Sequence, residues 1–160
     1  MRRALRYLLV LAAFAALCSA AERRAWNKVQ YVGGTLPIKT SPYDWNTTVT
    51  VSSNPDTVTL VIAPASVFGH QQTVRLKPSQ ITAVVCGSGA WQRVADVGGA
   101  QLPSKRPTLF GLLLDYSLVG ILYQSDDGKP AAILLNAPID SSAIGRLLEA
   151  VTGKPTEYAK

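Results

Sequence analysis

The chain is poor in the residues that most often announce chemistry. It has 160 residues but only two cysteines, Cys18 and Cys86, one histidine, His70, and a single methionine. One histidine and scattered carboxylates do not supply a zinc site, which takes three or four His, Cys or Asp/Glu ligands. Charged residues make up only 16% of the chain, and no Lys/Arg run exceeds the pairs Arg2-Arg3, Arg23-Arg24 and Lys105-Arg106. A nucleic-acid surface needs a basic stripe rather than isolated pairs, so no nucleic-acid partner is expected. Signatures of nucleotide and hydrolase chemistry are missing too. Gly87-Ser88-Gly89 lacks the later Gly-Lys-Ser/Thr of a phosphate loop, and no Gly-x-Ser-x-Gly turn occurs. Asp126-Asp127-Gly128 lacks the later ligands of a calcium loop. Neither cofactor nor metal is expected.

Acidic residues are also missing from the first 21 positions, and what stands there is ordered. Arg2, Arg3 and Arg6 precede an apolar run from Tyr7 to Leu17, and Ser19, Ala20 and Ala21 follow. A basic start, a short apolar core and small residues are the layout of a secretory signal peptide. The run is shorter than the roughly 20 residues of a spanning helix. Residues 1–21 therefore read as a signal peptide and 22–160 as one exported domain, periplasmic or extracellular. Cleavage after Ala20 or after Ala21 fits. Lipidation at Cys18 is disfavoured because Leu17, not a small residue, precedes it; an uncleaved anchor is the other alternative. The formal net charge is +6, yet three of the sixteen basic residues precede Glu22 and all ten acidic ones lie at or after it. The exported part is thus only mildly basic. It would retain Cys86 alone, so its fold must be held by a core rather than by a disulfide.

The remaining pattern is mostly that of strands. Lys28 to Leu36, with Gly33-Gly34, predicts a short strand that bends. Thr47 to Ser52 and Thr57 to Ala63 alternate apolar Val49, Val51, Val58, Leu60 and Ile62 with threonines. They flank Ser53-Asn54-Pro55-Asp56, which is turn chemistry, and predict an antiparallel hairpin. Gln72 to Lys77 reads as a further strand, broken by Pro78-Ser79. Ile81 to Cys86 is denser in apolar residues, as a strand covered on both faces would be, and makes Cys86 a buried thiol. Ala90 to Val97 is read as another strand, and Gly98 to Thr108 as a flexible loop. Leu118 to Gln124 and Ala131 to Asn136 form a hairpin around Asp-Gly. Pro138 and Asp140 then introduce a helix from Ser141 to Thr152, with Asp140 or Ser141 as cap. Ile144, Leu147, Leu148 and Val151 lie on one face, and Gly153 and Pro155 end it. Such a helix must cover a sheet face or plug an open barrel end. The expected fold is mainly β (α+β): a bent antiparallel sheet or partly open barrel with one C-terminal capping helix.

Two stretches carry a resemblance. Lys28-Val29-Gln30-Tyr31-Val32-Gly33-Gly34-Thr35-Leu36-Pro37 resembles the opening of a group of uncharacterised exported bacterial proteins, best represented among acidobacteria. Tyr123 to Ala132 and Leu147 to Tyr158 resemble the group's closing hairpin and helix. Gly87 to Tyr116 departs from that group in length and content. The element order is also similar to pleckstrin-homology-like or GRAM-like domains. These resemblances imply a fold and no activity.

One set of residues suggests a site. Trp91, Arg93, Lys105 and Arg106 fall in and beside the most irregular segment, where a β scaffold tends to carry binding residues. Aromatic and basic groups together suit an anionic or amphipathic ligand, such as a lipid head group or an envelope protein's acidic segment. The competing reading makes Trp91 core and the three cations ordinary solvated surface. The expected function is a non-catalytic binding or scaffold domain of the cell envelope. Two alternatives stand beside it. One is a small hydrolase using Asp115, Asp126 or Asp127, which would need two converging carboxylates. The other is a structural protein that pairs through a sheet edge.

Overall fold

The computed structural model describes residues 22–39, 45–54, 56–64, 70–106, 108–109, 112–113 and 117–159. The leader reading of residues 1–21 and the candidate Asp115 lie outside them. Strands run β1 (Glu22–Gly34), β2 (Thr47–Asn54), β3 (Thr57–Ala63), β4 (Gln72–Leu76) and β5 (Ile81–Gly87). Helix α1 (Gly89–Ala95) follows, then the short strands β6 (Thr108–Leu109) and β7 (Leu112–Leu113). The chain closes with β8 (Leu118–Gln124), β9 (Pro130–Asn136), helix α2 (Ser141–Thr152) and β10 (Thr156–Ala159).

The main sheet has the order β10-β5-β8-β9-β1-β2-β3-β4. Every pairing is antiparallel except that of β10, which runs parallel to β5. Strand β1 serves two ladders. Its first half pairs with β2 from Glu22 to Val29, and its second half pairs with β9 from Gln30 to Gly34. The register slips between Trp26 and Val29, where Lys28 adopts a φ of 61°. That is the left-handed region a side chain seldom enters, and it fits a bulge. The change of direction expected at Gly33-Gly34 is therefore shared with a position that composition does not mark.

Alternation explains the β2–β3 half. Val49, Val51, Val58, Leu60 and Ile62 are buried on one face, and their neighbours are partly exposed. Strands β8 and β9 are apolar nearly throughout, because both of their faces are covered. On one face α2 places Ile144, Leu147 and Leu148 in a core shared with Val84, Ile121, Ile133 and Val49, Val51 and Val58 of β2 and β3. On the other face a second, smaller core joins Val85, Leu134 and Val32 to Ala90 and Val94 of α1.

Helix α1 corrects the expectation of a strand over Ala90–Val97. Gly87, with a φ of 98°, turns the chain out of β5, and Ala90 and Val94 then sit one helical turn apart against the sheet. The helix can approach because β8 offers Gly120 there. A Cβ at Gly120 would lie 3.2 Å from Val94 Cγ2. The same logic holds on the opposite face, where a Cβ on Gly145 of α2 would lie 3.0 Å from Cys86 Sγ.

The mainly β sheet with a C-terminal helix is as expected. The fold adds a second helix and a parallel edge strand. Asp140 occupies the N-cap of α2 without a side-chain capping bond, whereas Gly153 ends that helix in the left-handed conformation (φ 68°) expected of it. In the turn after β2 the local bond comes from Asn54, whose Oδ1 accepts from the Asp56 amide at 3.2 Å. No helix among the described residues is long and apolar enough to cross a membrane.

Candidate binding cleft and the basic residues near it

The segment after α1 is held to β1 by two backbone hydrogen bonds. The Gly34 amide donates to the Gln101 carbonyl at 3.0 Å, and the Gln101 amide returns a bond to the Gly34 carbonyl at 2.8 Å. This approach requires glycine. A Cβ on Gly33 would lie 2.2 Å from the Gln101 oxygen, so any larger residue pushes the segment away. The Gly33-Gly34 pair is thus a contact point for Gln101 as well as part of an irregular strand.

Beside this staple lies a cleft of about 580 Å³. One wall is Tyr31, Gly34 and the stretch Leu36-Pro37-Ile38-Lys39 that leaves β1; the other is Gln101, Leu102 and Pro103. Leu36 and Ile38 rest on the larger core and Leu102 on the smaller one, so the cleft opens where the two cores come closest to the same stretch of β1. Its floor is buried. The Tyr31 hydroxyl donates to the Leu36 carbonyl at 3.5 Å, and burial raises that phenol well above its ordinary value. Burial likewise raises Tyr123, partly offset by its hydrogen bond with Thr35. Both phenols stay neutral at physiological pH. Thr35 is in turn fixed by the Ala132 backbone, accepting from its amide at 3.1 Å and donating to its carbonyl at 3.3 Å.

The four residues singled out in the sequence divide. Trp91 and Arg106 come together, with the guanidinium carbon 5.7 Å from the indole centroid, within cation–π range. Trp91 is half-buried against the second core, so it is both core and platform. Lys105 is exposed and adjoins Arg106 in the chain. Arg93 does not join them. It stands two residues from Trp91 on α1, hence on a different side of the helix, and pairs with Glu157 of β10 at 3.5 Å. Sequence reasoning missed the cleft residues Tyr31, Leu36, Ile38, Lys39 and Leu102. The signal it held was the apolar Leu36-Pro37-Ile38 following two glycines.

Of the carboxylates weighed for hydrolysis, Asp126 and Asp127 lie among the described residues, and each is engaged by a neighbour. Asp126 accepts from Gln80 Nε2 at 3.1 Å. Asp127 accepts from Ser125 and pairs with Lys129 at 2.8 Å at the exposed tip of the β8–β9 hairpin. Those partners lower Asp127 to about 2, led by the Lys129 contact. A carboxyl ionised that firmly is a poor proton donor near neutral pH. Gly128 supplies the positive φ (76°) of this turn, so the motif acts as a hairpin closure. Cys86 is buried and free, and burial lifts its thiol to about 11, which leaves it unreactive as a nucleophile at neutral pH. No group of three or more metal-ligating side chains occurs among the described residues.

No protein-family model matches the chain. No curated protein matches it either. Among solved structures, the hSac2 domain from human phosphoinositide phosphatase Sac2 is similar over 99% of this chain and 89% of its own, at 12% identity and a TM-score of 0.43. A likeness that faint assigns no chemistry.

Proposed function

We propose that this protein is a non-catalytic binding domain of the bacterial cell envelope that recognises an anionic amphiphilic partner through the segment after α1. The observation that carries the reading is the seating of Arg106 over Trp91, next to exposed Lys105 and a few residues from the cleft wall at Gln101–Pro103. An aromatic ring that positions a cation offers charge and apolar surface together, the combination that suits an anionic lipid head group at a membrane surface. The leader pattern before Glu22 supports export.

Sedimentation with vesicles tests this reading. Vesicles containing phosphatidylglycerol should bind the protein, and vesicles of phosphatidylcholine alone should not. Each basic side chain near an anionic surface contributes about 1 kcal/mol, so removing two should cost about 2 kcal/mol, or roughly 30-fold in partitioning. Lys105→Ala/Arg106→Ala should show that loss, and binding should weaken with added salt. Arg93→Ala, which removes a cation on a different side of α1 from Trp91, should change partitioning far less. Equal binding to both vesicle types, or no effect of the double substitution, refutes the reading.

A second reading, pairing through a sheet edge, draws on β10. This strand ends the sheet and carries Tyr158, which is 62% exposed. Tyr158→Ser should then reduce self-association measured by sedimentation velocity.

A further inference from the structure

We propose that the cleft between Tyr31, Leu36 and Ile38 on one side and Leu102 and Pro103 on the other holds a single acyl chain whose anionic end is received by Lys39 at the rim. The inference rests on the binding reading above and names the ligand class of the cleft beside the Trp91–Arg106 pair.

Three observations carry it. The first is size and lining. A cleft of about 580 Å³ falls in the range of small-molecule sites, and its lining is amphipathic: Leu36, Pro37, Ile38, Leu102 and Pro103 supply apolar wall, and Lys39, Gln101 and exposed backbone supply about as much polar surface. The second is the disposition of polar groups. The Tyr31 hydroxyl at the floor is directed to the Leu36 carbonyl, so the phenol presents its ring as an apolar surface. The Gly34 and Gln101 backbone groups bond to each other, which removes two donors and two acceptors that would otherwise have called for a polar ligand. The third is charge. Among the described residues Lys39 is the one charged side chain that lines the cleft, and Lys105 and Arg106 follow its Gln101–Pro103 wall in the chain. Lys39 is exposed. A slot that joins the aliphatic side chains of Leu36, Ile38 and Leu102 to a lysine at its rim complements an alkyl chain with an anion at one end, and disfavours a cationic one.

A free fatty acid and a lysolipid both present this chemistry. The experiment is isothermal titration calorimetry on the purified full chain. The probes are decanoate, laurate, myristate and palmitate below their micellar concentrations, lysophosphatidylglycerol, and dodecyltrimethylammonium as the oppositely charged chain. Affinity should rise by roughly fourfold for each methylene added until the slot is filled, following the transfer free energy of a buried methylene. Laurate should bind and dodecyltrimethylammonium should not. Lys39→Glu, at an exposed position where folding is not at stake, should weaken laurate at least tenfold and reverse the preference between the two twelve-carbon chains. Ile38→Trp, which fills the slot, should shift the optimum to shorter chains; its unfolding midpoint, measured in parallel, reports that the fold is intact. Palmitate binding without lysophosphatidylglycerol binding identifies a fatty acid as the source, and the reverse identifies a lysolipid.

Failure to bind any alkyl anion overturns the proposal. So does affinity independent of chain length, or a response to laurate that Lys39→Glu leaves unchanged. Binding of an oligoglutamate peptide in place of the alkyl anions overturns it in favour of an acidic protein segment. Vesicle sedimentation on the same preparation separates the two claims. Vesicle binding without alkyl-anion binding removes the acyl site and leaves the binding domain; loss of both removes the binding reading as well.

Discussion

Replacing Gly33 with alanine tests how the cleft is built. The new Cβ would sit 2.2 Å from the Gln101 carbonyl oxygen and 2.9 Å from Leu102 Cδ2. The first distance is far inside contact and involves backbone, so the segment from Val97 to Arg106 has to move off β1. The two hydrogen bonds between Gly34 and Gln101 would then break. At about 0.5–1.5 kcal/mol each, that loss is roughly 1–3 kcal/mol. Partial exposure of Leu102, which packs on the second core, adds to it. The midpoint of chemical denaturation should fall accordingly, with the dependence on denaturant little changed. Hydrogen exchange should localise the damage. The Gly34 and Gln101 amides should lose protection, while those of the β2–β3 ladder remain as in the parent because neither Gly33 nor Gln101 takes part in it. Gly33→Ala should also abolish the chain-length dependence of alkyl-anion binding, since one wall of the slot is displaced. A Gly33→Ala protein with parental stability and parental protection at Gln101 would refute the staple and, with it, the account of why two glycines stand here.

Three further outcomes follow from the packing and the ionisable groups. Leu148, fully buried under α2, should not tolerate aspartate: Leu148→Asp places an unpaired carboxylate in the larger core and should leave no cooperative unfolding transition by circular dichroism. The Cys86 thiol, raised from 9.0 to about 11 in the folded chain, should resist aromatic disulfide reagents at pH 8 until denaturant is added. The unfolded chain ionises this thiol first, so the stability linked to it is complete below about pH 9 and is lost as pH rises towards about 11. For Asp127, the fold lowers the carboxyl from 3.8 to about 2, so its contribution is present above pH 3.8 and fades as pH falls through about 2. A carboxyl-detected NMR titration should find that midpoint, and Lys129→Ala should return it towards the ordinary value.

How much of this was legible in the chain depends on the range of the forces involved. The hairpins were readable because their determinants are local: Val49, Val51, Val58, Leu60 and Ile62 alternate, and Gly128 adopts the positive φ that an Asp-Gly turn requires. Helix α2 was readable for the same reason, from the spacing of Ile144, Leu147 and Leu148 and the stop at Gly153. Helix α1 was misread as a strand. Seven residues are too few to display a period, and only Ala90 and Val94 reach the core, a pattern that a short strand mimics.

The candidate site splits along the same line. Trp91, Lys105 and Arg106 were nameable because aromatic and basic residues stand out in an irregular segment, and Trp91 with Arg106 indeed form a pair. Arg93 was grouped with them by nearness in sequence. The helix turned it to another side, and β10, arriving from sixty-four residues away, supplied Glu157 as its partner.

The sequence alone determined the class of structure: strand and helix periods, turn residues, a core without disulfides and a modest charge. Tertiary structure alone decided that α1 and α2 cover opposite faces of one sheet, that β10 closes its edge in parallel, and that Gln101 lies against Gly33 and Gly34. The physical reason is that turns, caps and periodicity act within a few residues. A cleft is the space left when segments far apart in the chain are brought together by the burial of their apolar faces, and no local pattern records it.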